Sequence, residues 1–309
     1  VGTTLEKIEL FAKLQRYAPT SMSMVIQGET GTGKERVAEA IHEASPRRHK
    51  RLVAFNCAAM TDTLLESELF GHVRGAFTGA DRAHDGVFVE ADGSTLLFDE
   101  VGEMSAAMQA KLLRVLENQE VRPVGTGRCR KVNVRTLFAT HADLRHAVNR
   151  GSFREDLYFR MAQVTVEIPP LRKRTDDLPL LIADILHQLG SPNMKADEAG
   201  MSALRAHSWP GNVRQLRTVI EAALVESDGD RLMLEGPLAG TSAGAAPERA
   251  SGLYDDAKRD FDRRFYTALF VRFGGNLSQI ARAAGKQRVT VRAALRALGL
   301  YDESGSEGS

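Results

Sequence analysis

The chain has 309 residues, 43% hydrophobic and 26% charged, a composition typical of a soluble globular protein with one substantial core and a smaller second unit. Its net charge of +1 excludes a uniformly basic protein, so any nucleic-acid surface must be local. Cys57 and Cys129 lack a CxxC spacing, which excludes a disulfide framework. No apolar run approaches the roughly 18 residues of a membrane span, and the amphipathic start is not a signal peptide. These features predict a cytoplasmic protein with no membrane partner.

Strand and helix patterns alternate over the first half of the chain. The predicted strands are Met24–Gly28, Val53–Cys57, Ser94–Glu100 and Val134–Thr140, and the predicted helices are Lys34–Ala44 and Ala106–Asn118. Strands separated by helices predict an α/β fold, with a parallel sheet covered on both faces.

A glycine-rich loop follows the first predicted strand and opens a helix, which is the context of a phosphate-binding loop. Its residues are Gly28, Glu29, Thr30, Gly31, Thr32, Gly33 and Lys34. We expect the backbone N–H groups to bind phosphate oxygens and Lys34 to reach the β- and γ-phosphates. Glu35 stands where the general pattern has a Ser or Thr that binds Mg²⁺. The alternative is a glycine-rich turn with an incidental lysine.

Two carboxylates, Asp99 and Glu100, end the apolar strand that lies about 65 residues further on. Asp99 is suited to hold Mg²⁺ through water, and Glu100 to polarise the attacking water as a base. Many strands end in acidic residues, but hydrolysis of a nucleotide needs both this pair and the phosphate loop. Together they predict nucleotide hydrolysis.

Arg154 and Arg160 lie six residues apart in the segment FREDLYFR at 153–160. This spacing does not put both on one helix face. Guanidinium groups suit the charge of a transferring phosphoryl group and can come from a neighbouring subunit. Ordinary structural ion pairs are the alternative for this segment taken alone.

An unusual loop brackets an aromatic Phe-Thr tip between two glycines. Its residues are Gly75, Ala76, Phe77, Thr78, Gly79 and Ala80, called here the GAFTGA loop. An exposed aromatic on a flexible loop indicates a contact with a partner, although a plain turn explains the pattern equally well on physical grounds.

The second half changes in composition twice. Pro169-Pro170 ends the α/β region, and Asp177–Glu226 is predicted to be all helical, with one break at Trp209-Pro210-Gly211, as in a lid. A Gly-, Ala- and Ser-rich stretch then predicts a flexible linker. The predicted domains are 1–170 (ATPase subdomain), 171–235 (lid), 236–252 (linker), 253–303 (three helices) and 304–309 (disordered tail).

Several motifs together resemble the bacterial enhancer-binding proteins, the NtrC-like AAA+ activators of sigma-54 RNA polymerase. They are GETGTGKE at 28–35, FNCAAM at 55–60, ELFGHVR at 68–74 before GAFTGA, LLFDE at 96–100, FREDLYFR at 153–160 and WPGNVRQL at 209–216. The resemblance implies an AAA+ P-loop NTPase fold with a helical lid, ATP and Mg²⁺ as cofactors, and a homo-oligomeric ring, usually a hexamer. It also implies that the GAFTGA loop contacts the sigma-54 RNA polymerase holoenzyme.

The same resemblance assigns residue roles. Asn56 would be a switch residue that pairs with Glu100, and Thr140 and Arg214 would lie at the first and second sensor positions. Arg154 and Arg160 would act on the nucleotide of a neighbouring subunit. His141 departs from the asparagine that is frequent at the first sensor.

The C-terminal unit resembles a Fis-type helix-turn-helix that binds upstream enhancer DNA. Its buried face is predicted to include Leu277, Ile280, Ala281, Ala284, Val291, Ala294, Leu295 and Leu298. The residues predicted to face DNA are Gln287, Arg288, Thr290, Arg292 and Arg296. Residues 272–300 contain six basic side chains and no acidic one. A three-helix oligomerisation domain is the alternative.

The sequence leaves two alternative functions for the whole chain. One is an AAA+ DNA-binding regulator that does not act on sigma-54, and the other is a general AAA+ remodelling enzyme. An intact GAFTGA loop disfavours the first, and the helix-turn-helix disfavours the second. Regulation comes either from a separate partner or from a part of a longer protein.

Overall fold

The computed structural model describes residues 5–58, 60–196, 198–227, 231–234, 266–267, 269–270, 273, 276–284, 291 and 295. The chain divides into two units, Val1–Ala243 and Gly244–Ser309, and each is described by itself. The division falls inside the range for which a linker is predicted, and residues 236–252 and 304–309 lie outside the described residues.

A five-stranded parallel sheet forms the centre of the first unit, in the order β2-β3-β6-β1-β7. Its strands are β1 (Met24–Gln27), β2 (Val53–Asn56), β3 (Thr95–Asp99), β6 (Arg135–Thr140) and β7 (Val164–Glu167). A small antiparallel pair, β4 (Glu120–Val121) and β5 (Arg130–Lys131), lies outside it. The four predicted strands and the parallel α/β fold are confirmed, whereas β7 was not predicted.

Helices cover both faces of this sheet. They are α1 (Leu5–Tyr17), α2 (Lys34–Glu43), α3 (Asp62–Phe70), α4 (Val87–Glu90), α5 (Ala106–Asn118), α6 (Leu144–Asn149) and α7 (Glu155–Met161). Alternate side chains of a strand point to opposite faces. In β3, Leu96 and Phe98 therefore pack against the core under α3, α5 and α7, while Leu97 packs against the core under α1 and α2. The predicted helices α2 and α5 are confirmed.

A helical lid follows the sheet and has its own apolar core. It contains α8 (Leu178–Gln188), α9 (Glu198–Ala206) and α10 (Asn212–Glu226) around the fully buried Trp209. The Trp209 indole N–H donates to the Leu204 carbonyl at 2.8 Å, which satisfies its polar group.

The prediction of an all-helical lid was wrong in one detail. A two-residue strand, β8 (Lys195–Ala196), interrupts the helices and pairs in parallel with β9 (Arg231–Leu232). None of the helices in the described part of the chain combines the length and apolar character that a bilayer crossing demands.

The second unit shows one complete described helix, α11 (Leu277–Ala284). Ile280 and Ala281 on this helix are buried together with Tyr266, Val291 and Leu295. This confirms four positions of the predicted apolar face. The five predicted DNA contacts, Gln287, Arg288, Thr290, Arg292 and Arg296, lie outside the described residues.

Candidate functional site

The predicted phosphate loop, acidic pair and first sensor converge at the carboxyl edge of the sheet, where parallel strands all end. Register pairs Gln27 of β1 with Thr140 of β6, and Asn56 of β2 with Asp99 of β3. The phosphate loop leaves β1 directly beside these positions. One edge of the sheet thus holds the loop, the carboxylates and the predicted first sensor.

The phosphate loop has the backbone of an anion-binding turn. Gly31 and Gly33 have φ values of 79° and 97°, which residues with a Cβ rarely adopt. The Thr32 hydroxyl donates to the Glu29 carbonyl at 2.8 Å, and α2 begins at Lys34. The positive end of α2 therefore lies at the loop. Glu35 is exposed in the first turn of α2.

Lys34 lies between the loop and the acidic pair. Its side chain is 7% exposed, and its Nζ donates to the Gly28 carbonyl at 3.0 Å. The same Nζ is 3.6 Å from Oε1 of Glu100. The ammonium group is therefore held at the cleft in a position from which it can turn to a phosphate.

The two carboxylates have pKa values shifted in opposite directions. Burial, and then the charge of Glu100, raise the pKa of Asp99, and the Lys34 charge offsets part of this. Burial also raises the pKa of Glu100, but the hydrogen bond from His141 and the Lys34 charge together bring it below its ordinary value. The Glu100 carboxylate is thus kept ionised, as a base requires.

Glu100 pairs with His141, for which no partner was predicted, and Asn56 has a partner that differs from the predicted one. His141 Nδ1 is 2.6 Å from Glu100 Oε2, and its backbone N–H donates to the same oxygen at 3.3 Å. The Asn56 amide instead donates to Asp99 Oδ2 at 3.4 Å, because register sets these two residues side by side. The predicted Asn56–Glu100 pair is therefore not the contact in this structure. Sequence reasoning noted His141 only as a departure from a pattern.

The two predicted sensors lie on different elements. Thr140 is fully buried, and its hydroxyl accepts from the Ala142 N–H at 3.0 Å. Arg214 is exposed on α10 of the lid, and its backbone N–H donates to the Gly31 carbonyl at 3.3 Å. The lid thus places a cationic residue beside the phosphate loop.

The lid also reaches the loop through residues that sequence reasoning missed. Arg172 donates to both oxygens of Glu29 at 2.5 and 2.8 Å, and this contact is the main cause of the lowered pKa of Glu29. Asn212 contacts Glu29 and the Thr30 carbonyl, and Arg174 contacts the Thr32 carbonyl. Glu29 belongs to the loop whose backbone is predicted to bind phosphate, and its side chain is directed at the lid. The only sequence signal was the matched WPGNVRQL motif, which contains Asn212.

Arg154 and Arg160 are not directed at this cleft in the single chain. Arg154 precedes α7 and binds the Asp156 carboxylate at 3.0 and 2.7 Å. Arg160 donates to the Leu116 carbonyl at 3.1 and 2.7 Å. It lines a cavity of about 360 Å³ with Ser23 and Thr136, at the amino-terminal edge of the sheet. This edge is opposite the phosphate loop.

The GAFTGA loop is more closed than the sequence suggested. The Gly75 N–H donates to the Ala80 carbonyl at 2.9 Å, and Ala80 is buried. Phe77 is half-buried, with its ring centroid 5.0 Å from that of His72 in an edge-on contact. The expected exposed aromatic is thus folded back, and Thr78 is the exposed tip.

In the part of the chain that the structure describes, no cluster of three or more His, Cys, Asp or Glu side chains could hold a metal by itself. Mg²⁺ in nucleotide sites takes one or two carboxylates and completes its shell with phosphate oxygens and water. Asp99, half-buried beside Lys34, fits this smaller demand.

Comparison with known proteins identifies the family. The model for the Sigma-54 interaction domain matches residues 1–167. The chain belongs to the sigma-54-dependent, NtrC-like AAA+ activators. The AAA+ ATPase lid domain model matches residues 172–239 of this activator.

Individual relatives agree with this assignment. The activator is 41% identical over 300 residues to the transcriptional regulatory protein ZraR of Escherichia coli (strain K12), covering 96% of this chain and 68% of that one. It is 42% identical over 288 residues to GlrR of the same organism, covering 91% and 64%. The crystal structure of NtrX from Brucella abortus in complex with ATP has a TM-score of 0.69 at 34% identity, covering 97% and 69%. The AAA+ P-loop NTPase fold, nucleotide binding and a role in transcription regulation follow.

Proposed function

We propose that this activator uses ATP hydrolysis to convert closed complexes of sigma-54 RNA polymerase into open complexes. The observation that carries the proposal is a complete hydrolytic set in one cleft, in a chain of this family that also has an intact GAFTGA loop. Lys34 binds the phosphates, Glu100 orients the attacking water, and Arg214 contacts the nucleotide from the lid. Thr140, at the end of β6, occupies the first sensor position. Mg²⁺ held by Asp99 would supply charge neutralisation for the transferring phosphoryl group.

The assembly that does this work is a ring, which we expect to be a hexamer. Arg154 and Arg160 lie away from their own phosphate loop, and Arg160 lines the opposite edge of the sheet. An arginine that acts on a phosphoryl group must then serve a neighbouring subunit. This supports a nucleotide site completed between two copies of the chain.

Upstream DNA is the proposed partner of the C-terminal unit. Basic side chains without acidic ones between residues 272 and 300 support it, as does the apolar face shared by Ile280, Ala281, Val291 and Leu295. We infer that Gln287, Arg288, Thr290, Arg292 and Arg296 contact DNA. DNA binding would raise the local concentration of the activator beside its promoter.

The test uses Thr78→Ala at the exposed tip of the GAFTGA loop. Binding of sigma-54 is measured with ADP–aluminium fluoride, which stands in for the planar phosphoryl group in transfer, and open complexes are counted with ATP. We expect sigma-54 retention and open-complex formation to fall at least about tenfold while the ATPase rate stays within about twofold, because Thr78 contacts none of the proposed nucleotide residues.

Thr63→Ala, an equal change at an exposed position of α3, is the matched control and should behave like the wild type. If Thr78→Ala also binds sigma-54 and opens promoters normally, the loop is not the contact. If the wild type fails to retain sigma-54, an AAA+ DNA-binding regulator that does not act on sigma-54 takes the place of this proposal.

A further inference from the structure

Three consecutive carbonyl groups of the phosphate loop receive hydrogen bonds from the lid. The Thr30 carbonyl accepts from the Asn212 amide at 3.1 Å. The Gly31 carbonyl accepts from the backbone N–H groups of Val213 and Arg214 at 2.9 and 3.3 Å. The Thr32 carbonyl accepts from Arg174 at 3.0 Å. These contacts fix the orientation of three successive peptide groups.

Peptide geometry gives this orientation a consequence. In a planar trans peptide the N–H points away from the C=O. When the carbonyls of Thr30 and Thr32 are held toward the lid, the N–H groups of Gly31 and Gly33 are turned to the opposite side. Inward-turned N–H groups in a glycine-rich turn are what bind a phosphate. The lid therefore stabilises the loop in the conformation that an anion needs.

Asn212 makes this contact from a backbone conformation that is unfavourable for most residues. It is fully buried, and its φ of 51° is a left-handed conformation that is uncommon outside glycine. Its Oδ1 accepts from the Leu171 N–H at 2.8 Å, while its Nδ2 also donates to Glu29 at 3.2 Å. One amide thus joins the phosphate loop, the start of the lid and α10.

Two further features tie the same surfaces together. Arg172 binds the Glu29 carboxylate with both terminal nitrogens, the strong bidentate geometry of an arginine–carboxylate pair. A Cβ on Gly31 would lie 2.4 Å from the Gly211 carbonyl, so the loop and the lid touch backbone to backbone.

We propose that Arg172, Arg174 and Asn212 are positioning residues that hold the phosphate loop ready for a nucleoside di- or triphosphate. The lid thereby sets the affinity for phosphate before the nucleotide enters, because binding to a loop that is only partly in the competent conformation is weakened by that fraction. The inference rests on the proposed function only in taking residues 28–34 as the phosphate site.

The experiment compares two variants with one control by equilibrium binding of a fluorescent ADP analogue and by steady-state ATPase kinetics. Asn212→Gly keeps the left-handed backbone and removes the amide. Arg172→Ala removes an exposed partner of Glu29. Arg217→Ala removes a half-buried arginine from α10, the helix that begins at Asn212. Arg217 contacts Glu221 and Gln188 of the lid and not the phosphate loop.

We expect the dissociation constant for the ADP analogue to rise about tenfold in Asn212→Gly and about threefold in Arg172→Ala, and to stay unchanged in Arg217→Ala. KM for ATP should rise in parallel while kcat changes less than about threefold, because Lys34, Asp99 and Glu100 are intact. The double variant Glu29→Arg with Arg172→Glu should recover affinity that Arg172→Glu alone loses.

Thermal melting without nucleotide shows whether Asn212→Gly has lost its fold. If it has, Arg172→Ala and the exchange of charges between Glu29 and Arg172 test the proposal without it. Wild-type affinity in both folded variants, or a fall in kcat at constant KM, would overturn the proposal. Neither measurement involves sigma-54 or DNA, so its outcome is separate from that of the Thr78 test.

Discussion

Glu100 is the proposed base for hydrolysis, and its contacts in the cleft are consistent with that role. Its φ of 53° is left-handed, its Oε2 is held by His141, and its Oε1 faces Lys34. In the proposed mechanism, Lys34 turns to a phosphate, and Oε1 then orients a water while His141 holds Oε2. A base needs such an orienting partner.

Glu100→Gln should bind ATP with near wild-type affinity and lose at least about 100-fold in kcat, because an amide cannot accept the proton from water. Phosphate release measures turnover, and the fluorescent ADP analogue measures binding. Glu103→Gln, three residues on and exposed, is the matched control. Turnover near wild type in Glu100→Gln would remove Glu100 from the role of base.

Cys57 lies behind the acidic pair, and burial, followed by the charges of Asp99 and Glu100, raises the pKa of its thiol to about 12. Because the thiolate is the reactive form, Cys57 should resist alkylation by a maleimide at pH 8 while the exposed Cys129 reacts. Peptide mass spectrometry of the folded and urea-unfolded protein checks this. Equal labelling of both cysteines in the folded chain would contradict it.

Single residues differ in how much of their role a sequence reveals. Lys34, Asp99 and Glu100 could be assigned from local sequence alone. Lys34 ends a glycine-rich loop that follows a strand, and Asp99 and Glu100 end an apolar strand. Asn212 and His141 act through contacts with residues far away along the chain. Such contacts form only when elements distant in sequence pack together. A local sequence pattern therefore cannot predict them.

At the scale of the element, Arg160 caps the carboxyl end of α5 in its own chain. The last carbonyl groups of a helix lack intrahelical partners, and Arg160 satisfies that of Leu116 in the last turn of α5 with two N–H groups. A cation at this end also complements the helix dipole. The residue thus contacts α5 in the single chain, whatever it does in a ring.

Arg160→Ala should lower the free energy of unfolding by about 1 kcal/mol, through the loss of this cap. Arg154→Ala, which loses an exposed pair with Asp156, should leave the free energy of unfolding unchanged, because solvent screens such a pair. Urea unfolding followed by far-UV circular dichroism measures both. Equal stabilities of the two variants would show that the contact with Leu116 contributes nothing.

Helices and strands were predicted well where a single local pattern of apolar residues identifies them. The buried runs that became β1, β2, β3 and β6 are bounded by turns and separated by helices, so their type and order followed. The strands β8 and β9 are two residues long and 35 residues apart in sequence, and only the packing of the lid brings them together. β7 was missed because it is only four residues long and one residue separates it from Pro169-Pro170.

At the scale of the whole molecule, the proposed ring makes a prediction about mixtures. Lys34→Ala subunits lack the phosphate-binding lysine, and Arg154→Ala subunits lack an arginine offered to a neighbour. Each variant alone should be inactive. Mixed under assembling conditions, some interfaces join an intact loop to an intact arginine, so part of the ATPase rate should return.

The rate is measured as a function of mixing ratio and should peak at an intermediate value. Co-purification of two differently tagged variants is the control, since it shows that they assemble together. Activity that stays absent in demonstrated mixed assemblies would mean that Arg154 does not act between subunits.

The contact between Gly31 and Gly211 bears on how this activator can be divided. The sequence suggests that the ATPase subdomain and the lid are separable, because the pair Pro169-Pro170 lies between them. Yet the backbone of the loop rests directly on the backbone of the lid, and three loop carbonyls have their donors there. A lid exchanged with that of a relative must therefore reproduce a backbone path, and not only a set of side chains. The segment that must be kept together to preserve the nucleotide site therefore extends past the proline pair and includes α10.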